Sequence, residues 1–75
     1  MFPTKGPVML KIEVEQEDDG RWIAEVAALP GVLAYGTTEV EARAHVAALA
    51  FRVIADRLDN DEPVPDEARS LFALA

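Results

Sequence analysis

One long helical pattern, over residues 38–58, constrains the fold of this chain more than any other feature of its sequence. Apolar side chains recur there at the i, i+3, i+4, i+7 spacing of a helix that buries one side. This stripe consists of Ala42, Val46, Leu49, Ala50 and Val53. A helix of this kind needs a surface to lie on, so we expect the preceding residues to form a small sheet.

The start of this helix is marked by Thr38 and Glu41, which are spaced as in a capping box. Gly36 interrupts the preceding strand, and Pro63 prevents the helix from continuing.

The apolar arc of the helix is wider than one packing face requires. Its polar sector is narrow and holds Glu41, His45, Arg52 and Asp56. We therefore expect the helix to contact the sheet on one side and a partner chain or the C-terminal tail on the other. The predicted homo-oligomer interface consists of Val40, Ala44, Ala48, Phe51, Ala55 and Leu58.

Apolar and polar residues alternate from Val8 to Glu15, as in a half-buried strand. A second strand is predicted over residues 21–28 and a third over residues 32–35, after the break at Leu29-Pro30-Gly31. A three-residue turn at residues 18–20 keeps one face of the first hairpin apolar. The predicted pairs are Val14 with Ala24, Ile12 with Val26, Leu10 with Ala28 and, on the outer face, Glu13 with Glu25.

The predicted fold is therefore α+β: a three-stranded antiparallel meander with one long helix on one face, in the order β-β-β-α. The 75 residues form one domain, with an extended lead-in (1–7), a core (8–62), and a connector and tail (63–75). Residues 66–75 fit either a short helix capped by Asp66, with Ala68, Leu71 and Phe72 on one side, or a further strand.

Fourteen acidic and seven basic residues give a formal charge of −7. Such a charge repels phosphate backbones, so we expect no direct nucleic-acid binding. It either favours a basic partner or only keeps a small protein soluble. The chain has no cysteine and one histidine, and we predict no metal and no cofactor. We expect a cytoplasmic protein without a membrane segment, because no long apolar run and no signal-peptide pattern is present.

The sequence predicts no catalytic residue. Ser70 has no histidine near it in sequence, and His45 lies on the polar sector of the helix. Glu13, Glu15 and Glu25 share the outer sheet face. These carboxylates form either an ordinary solvent-exposed strand face or, as the alternative, the magnesium site of a minimal nuclease.

Short motifs follow one another in a fixed order along the chain. An acidic turn, Asp18-Asp19-Gly20, precedes Arg21-Trp22-Ile23-Ala24-Glu25-Val26, and Leu29-Pro30-Gly31-Val32 comes next. Tyr35-Gly36, Thr38, Glu41-Ala42 and finally Pro63-Val64-Pro65 complete the series. In this order and spacing, residues 8–65 resemble the HicB family of antitoxins.

The resemblance implies a partial ribonuclease-H-like fold without nuclease activity. It also implies that the chain would neutralise a small basic toxin (HicA-like), a ribonuclease that cleaves mRNA, by covering its active site. Ten residues follow Pro65, too few for the DNA-binding domain that many family members carry, so we expect none here.

The candidate partner-binding residues lie within or beside these motifs. Tryptophan in particular is enriched among residues that dominate binding energy. The set consists of Trp22, Ile23, Glu25, Leu29, Pro30 and Tyr35. The alternatives to an antitoxin-type module are a structural homo-oligomer without a toxin partner and the minimal metal-dependent nuclease.

Overall fold

The computed structural model describes residues 10–71. Within this range, three strands form one antiparallel sheet in the order β1-β2-β3, and a long helix packs across one face of it. The elements are β1 (Ile12–Gln16), β2 (Trp22–Val26), β3 (Leu33–Gly36), α1 (Glu39–Asp59) and α2 (Asp66–Leu71). The predicted α+β class and the β-β-β-α order are confirmed.

The hairpin of β1 and β2 has the predicted register, with Val14 opposite Ala24 and Ile12 opposite Val26. Gly20 adopts a φ of 92°, and its N–H donates to the Glu17 carbonyl over 2.9 Å, which closes the three-residue turn. The ladder ends at Ile12, so the predicted pair of Leu10 and Ala28 does not form part of it. Residues 8 and 9 of the predicted first strand lie outside the described residues.

The segment between β2 and β3 is a tight turn with a buried anchor. Leu29 is fully buried, and the Val32 N–H donates to the Leu29 carbonyl over 2.9 Å. Pro30 and Gly31, the latter with a φ of 87°, fill the central positions of a type II turn. This part of the motif therefore has a structural role, and β3 begins at Leu33, one residue later than predicted.

Helix α1 begins at the predicted cap. The Glu41 N–H donates to Thr38 Oγ1 over 3.1 Å, as in a capping box. The reciprocal bond differs, because the Glu41 carboxylate accepts from the Thr37 N–H over 2.7 Å instead of from Thr38. The two bonds join the first turn of α1 to residues 37 and 38 that precede it.

The core lies between α1 and the inner face of the sheet. The helix contributes one row of buried residues at every fourth position, Ala42, Val46, Ala50 and Ile54. Leu49 and Val53, predicted to be central, are half-buried beside this row. A row of residues four apart runs obliquely to the helix axis, so towards the end of α1 Ile54 is buried instead of Val53.

The C-terminal segment forms a helix rather than a strand. The Pro65 carbonyl accepts from the N–H groups of Ala68 (3.0 Å) and Arg69 (3.2 Å), so Pro65 occupies the cap position that we predicted for Asp66. Ala68 is 1% exposed and joins the core, with Val64 packed beside it. The predicted contribution of Phe72 lies outside the described residues.

Candidate protein-binding surface

The outer face of the sheet is the side that points away from α1. Since Ala24 and Val26 are buried beneath the helix, the alternating residues of each strand must lie on the opposite side. These residues form two cross-strand rows, Glu15–Ile23–Tyr35 and Glu13–Glu25–Leu33. The outer face therefore combines three carboxylates with three large apolar or aromatic side chains.

A shallow groove of 120 Å³ runs between β1 and β2 on this face. Glu13, Val14, Glu15, Ile23 and Glu25 line it. Lys11 lies beside the groove, with its Nζ 3.7 Å from Glu13 Oε2 in an exposed pair. A pair this exposed contributes little, so the groove keeps its negative character.

A second cation stands at the other end of the outer face. The Arg21 guanidinium lies 4.7 Å from the centroid of the Tyr35 ring. Asp19 holds it from the turn, with its carboxylate accepting from Arg21 Nε over 2.8 Å. The Arg21 N–H also donates to this carboxylate and is the main reason that the pKa of Asp19 is lowered. These contacts place the Arg21 side chain beside Tyr35, and it does not line the groove.

The six candidate partner-binding residues do not share one surface. Ile23, Glu25 and Tyr35 lie on the outer face, whereas Trp22 lies on the inner face and packs against the core. Leu29 is fully buried and Pro30 is exposed in the turn at residues 29–32. Neighbouring residues of a strand point to opposite faces, so Trp22 and Ile23 are separated by the sheet itself.

Leu33, on the outer face, was absent from the sequence-based set. It is 37% exposed and lies directly opposite Glu25. Its position could be predicted from the sequence, because residues two apart in a strand lie on the same face and Leu33 is two residues before Tyr35.

The predicted oligomer interface forms one stripe along α1. Val40 is 77% exposed and Phe51 is 62% exposed. Ala44, Ala48 and Ala55 are also exposed, whereas Leu58 is half-buried and packs against the core. The stripe thus presents an apolar surface on the side of the helix that the sheet does not cover.

Comparisons with family models, with curated proteins and with solved structures found no match. The resemblance to HicB antitoxins therefore stays a prediction.

The two residues considered for catalysis, His45 and Ser70, lie on different helices. His45 is exposed, and its Nδ1 lies 2.8 Å from the Tyr35 carbonyl oxygen, so it ties α1 to β3. Ser70 is exposed on α2. Within residues 10–71, no group of three acidic, histidine or cysteine side chains is arranged to hold a metal ion. No helix in the same range is long and apolar enough to cross a membrane.

Proposed function

We propose that this chain is a non-enzymatic binding module that engages a small basic protein through the outer face of its sheet. In its fuller form the proposal is that of the HicB-like resemblance: the chain neutralises an mRNA-cleaving toxin by covering the active site of that toxin. The observation that carries the proposal is the grouping of Glu13, Glu15 and Glu25 around Ile23 on a face that α1 leaves open.

The composition of the outer face suits a protein partner. Apolar and aromatic side chains supply the buried centre of an interface, and charged residues at its margin steer the encounter and select the partner. Ile23 and Leu33 provide such a centre, and Tyr35 extends it towards Arg21. The formal charge of −7 attracts a basic protein over a longer range.

The first experiment is co-expression of this chain with the protein encoded by the adjacent reading frame. The proposal expects a basic protein of similar size that arrests growth alone, is tolerated with this chain, and co-purifies with it. Recovery of this chain by itself, or growth arrest that this chain does not relieve, would count against the proposal.

A charge reversal then tests the surface. Glu25→Lys places a cation opposite Leu33 in the groove of the outer face, and we expect affinity for the basic partner to fall about tenfold or more. Glu62→Lys makes the same change of charge at an exposed position shortly after α1 and is the matched control. Equal losses in the two variants would show that net charge alone determines binding.

The exposed stripe of α1 supports a second candidate function, a structural homo-oligomer. Exposed apolar patches of this kind often mark association sites. Sedimentation velocity of the wild type should then show an assembly that Phe51→Asp dissociates. Arg52→Asp, at the next position but on the polar sector, should leave it intact. A wild-type chain that sediments as a monomer at high concentration excludes this candidate.

A further inference from the structure

The free edge of β1 carries a row of backbone groups with no partner in the described part of the chain. The Glu17 N–H donates to the Arg21 carbonyl and the Ala27 N–H donates to the Lys11 carbonyl. In an antiparallel pair, every second residue directs its N–H and C=O towards the neighbouring strand. Because residues 11 and 17 bond to β2, Glu13 and Glu15 between them do so as well. Ile12, Val14 and Gln16 consequently direct theirs away from the sheet.

The outer edge of β3, unlike that of β1, has one of its outward backbone groups bound by a side chain. The Val26 N–H donates to the Val32 carbonyl, which by the same alternation directs the backbone groups of Leu33 and Tyr35 outward. The His45 ring then meets the Tyr35 carbonyl at 2.8 Å. Among residues 10–71, no side chain forms such a bond with the backbone of Ile12 or Val14. β1 is therefore the more open edge.

We propose that β1 binds its partner by strand addition, and that the occupant is an extended basic segment running antiparallel to β1. This inference rests on the proposed function and names the place and manner of binding. The segment would carry lysine or arginine opposite Glu13 and Glu15, on the outer face. It would carry apolar residues opposite Ile12 and Val14, whose side chains are half-buried against the core.

A second copy of the chain fits this edge poorly. If two copies of β1 paired antiparallel about Val14, all five residues of each strand would be paired. In this register, Glu13 of each copy would lie opposite Glu15 of the other. Like charges directly opposite each other in a ladder are destabilising. Charged residues on an edge strand suppress self-pairing in this way. The same carboxylates favour a strand of opposite charge, so the edge selects a basic segment.

The probe is a synthetic peptide in which lysine and valine alternate, and its control has the same composition with the lysines contiguous. Binding to the full chain is measured by fluorescence anisotropy. The alternating peptide should bind about tenfold more tightly than the control, because it alone places every cation on one face of a strand. Equal affinity of the two peptides would overturn the proposal.

N-methylation of the peptide tests the backbone bonds directly. In an antiparallel pair, residues opposite Ile12 and Val14 exchange both backbone bonds with them, so the valine N–H groups should face β1. Methylation of the valine nitrogens should reduce affinity about tenfold or more, whereas methylation of the lysine nitrogens should leave it within about threefold. Retained binding of the valine-methylated peptide would overturn the proposal.

A matched pair of variants tests the edge from the protein side. Val14→Pro removes an N–H that faces away from the sheet, a position where an edge strand tolerates proline. Val14→Thr keeps the N–H and the β-branched shape. We expect Val14→Pro to lose about tenfold in peptide affinity while Val14→Thr binds as the wild type does. Circular dichroism checks that both variants fold. If Val14→Pro does not fold, the N-methylated peptides test the proposal with the wild-type protein.

Failure of strand addition and failure of the proposed function give different results. If Glu25→Lys weakens peptide binding while N-methylation and Val14→Pro do not, the outer face binds basic chains without strand addition. If the alternating peptide binds the edge but the adjacent basic protein is not captured, strand addition holds and the proposed function fails.

Discussion

Gly36 lies where the end of β3 meets the first turn of α1. A Cβ at this position would contact the backbone N and Cα of Ala42, the latter at 2.9 Å, and neither atom can move without displacing the helix. We expect Gly36→Ala to lower the free energy of unfolding by roughly 3 kcal/mol, measured by urea denaturation.

Gly31→Ala is the control for this prediction. Its φ of 87° disfavours alanine, but the added Cβ would meet no atom within 4 Å. The expected loss is roughly 1 kcal/mol, from backbone strain alone. A Gly36→Ala variant no less stable than Gly31→Ala would contradict the close packing of β3 against α1.

Glu41 gives the helix start a dependence on pH. The Thr37 N–H and then the Thr37 hydroxyl donate to its carboxylate and lower the pKa of Glu41. Because the folded-state pKa lies below the unfolded value, the stabilisation is present above the unfolded pKa and is lost as pH falls through the folded one. We expect Glu41→Gln to be less sensitive than the wild type to acidification over this range, measured by urea unfolding at a series of pH values.

A direct titration checks the cause. The side-chain carboxyl resonance of Glu41 should titrate below the usual range for glutamate, and Thr37→Val, which keeps the N–H but removes the hydroxyl, should bring it part of the way back. A Glu41 resonance unaffected by Thr37→Val would show that the hydroxyl bond is not formed in solution.

At the scale of elements, the β1–β2 hairpin carries an unfavourable pair that its register makes unavoidable. Glu13 lies opposite Glu25 on the outer face, whereas Glu15 lies opposite Ile23. Like charges directly opposite each other destabilise a sheet. We expect Glu25→Gln to raise the free energy of unfolding by about 0.5 kcal/mol, and Glu15→Gln to leave it nearly unchanged, both measured by urea denaturation.

The Glu13–Glu25 pair is expected to affect stability and binding in opposite directions. If the outer face binds a basic segment, Glu25→Gln should gain stability and lose affinity in the same molecule. A variant that gains stability and binds the alternating peptide as tightly as the wild type would show that Glu25 has no part in recognition.

At the scale of the whole molecule, the short helix α2 closes the core from outside the β-β-β-α unit. Ala68 is 1% exposed, whereas Ser70, two residues along the same helix, is exposed. We expect Ala68→Asp to lower the free energy of unfolding by about 4 kcal/mol, since it buries a charge without a partner. Ser70→Asp should change it by about 0.5 kcal/mol or less, and thermal unfolding measures both. Equal effects would mean that α2 is not docked on the core in solution.

Local rules were enough to predict the elements and the register of the hairpin. The turn at residues 18–20 and the apolar alternation of β1 and β2 allow one arrangement with a single apolar face, and that arrangement is observed. The cap at Thr38 was equally predictable, because the spacing from Thr38 to Glu41 is set by the first turn of a helix. The candidate surface was only partly predictable, since Ile23, Glu25 and Tyr35 share a face that Trp22 and Leu29 do not.

The sequence by itself determined the strands, the long helix and the acidic character of the outer face, because each depends on the period of side chains along one segment. Tertiary structure alone decided that Leu29 would be buried in the turn, that Ala68 would complete the core and that His45 would contact the Tyr35 carbonyl at the edge of β3. Within residues 10–71, it also left the outward backbone groups of β1 without a partner. These outcomes depend on where separate segments meet in space, and side-chain period within one segment carries no information about that.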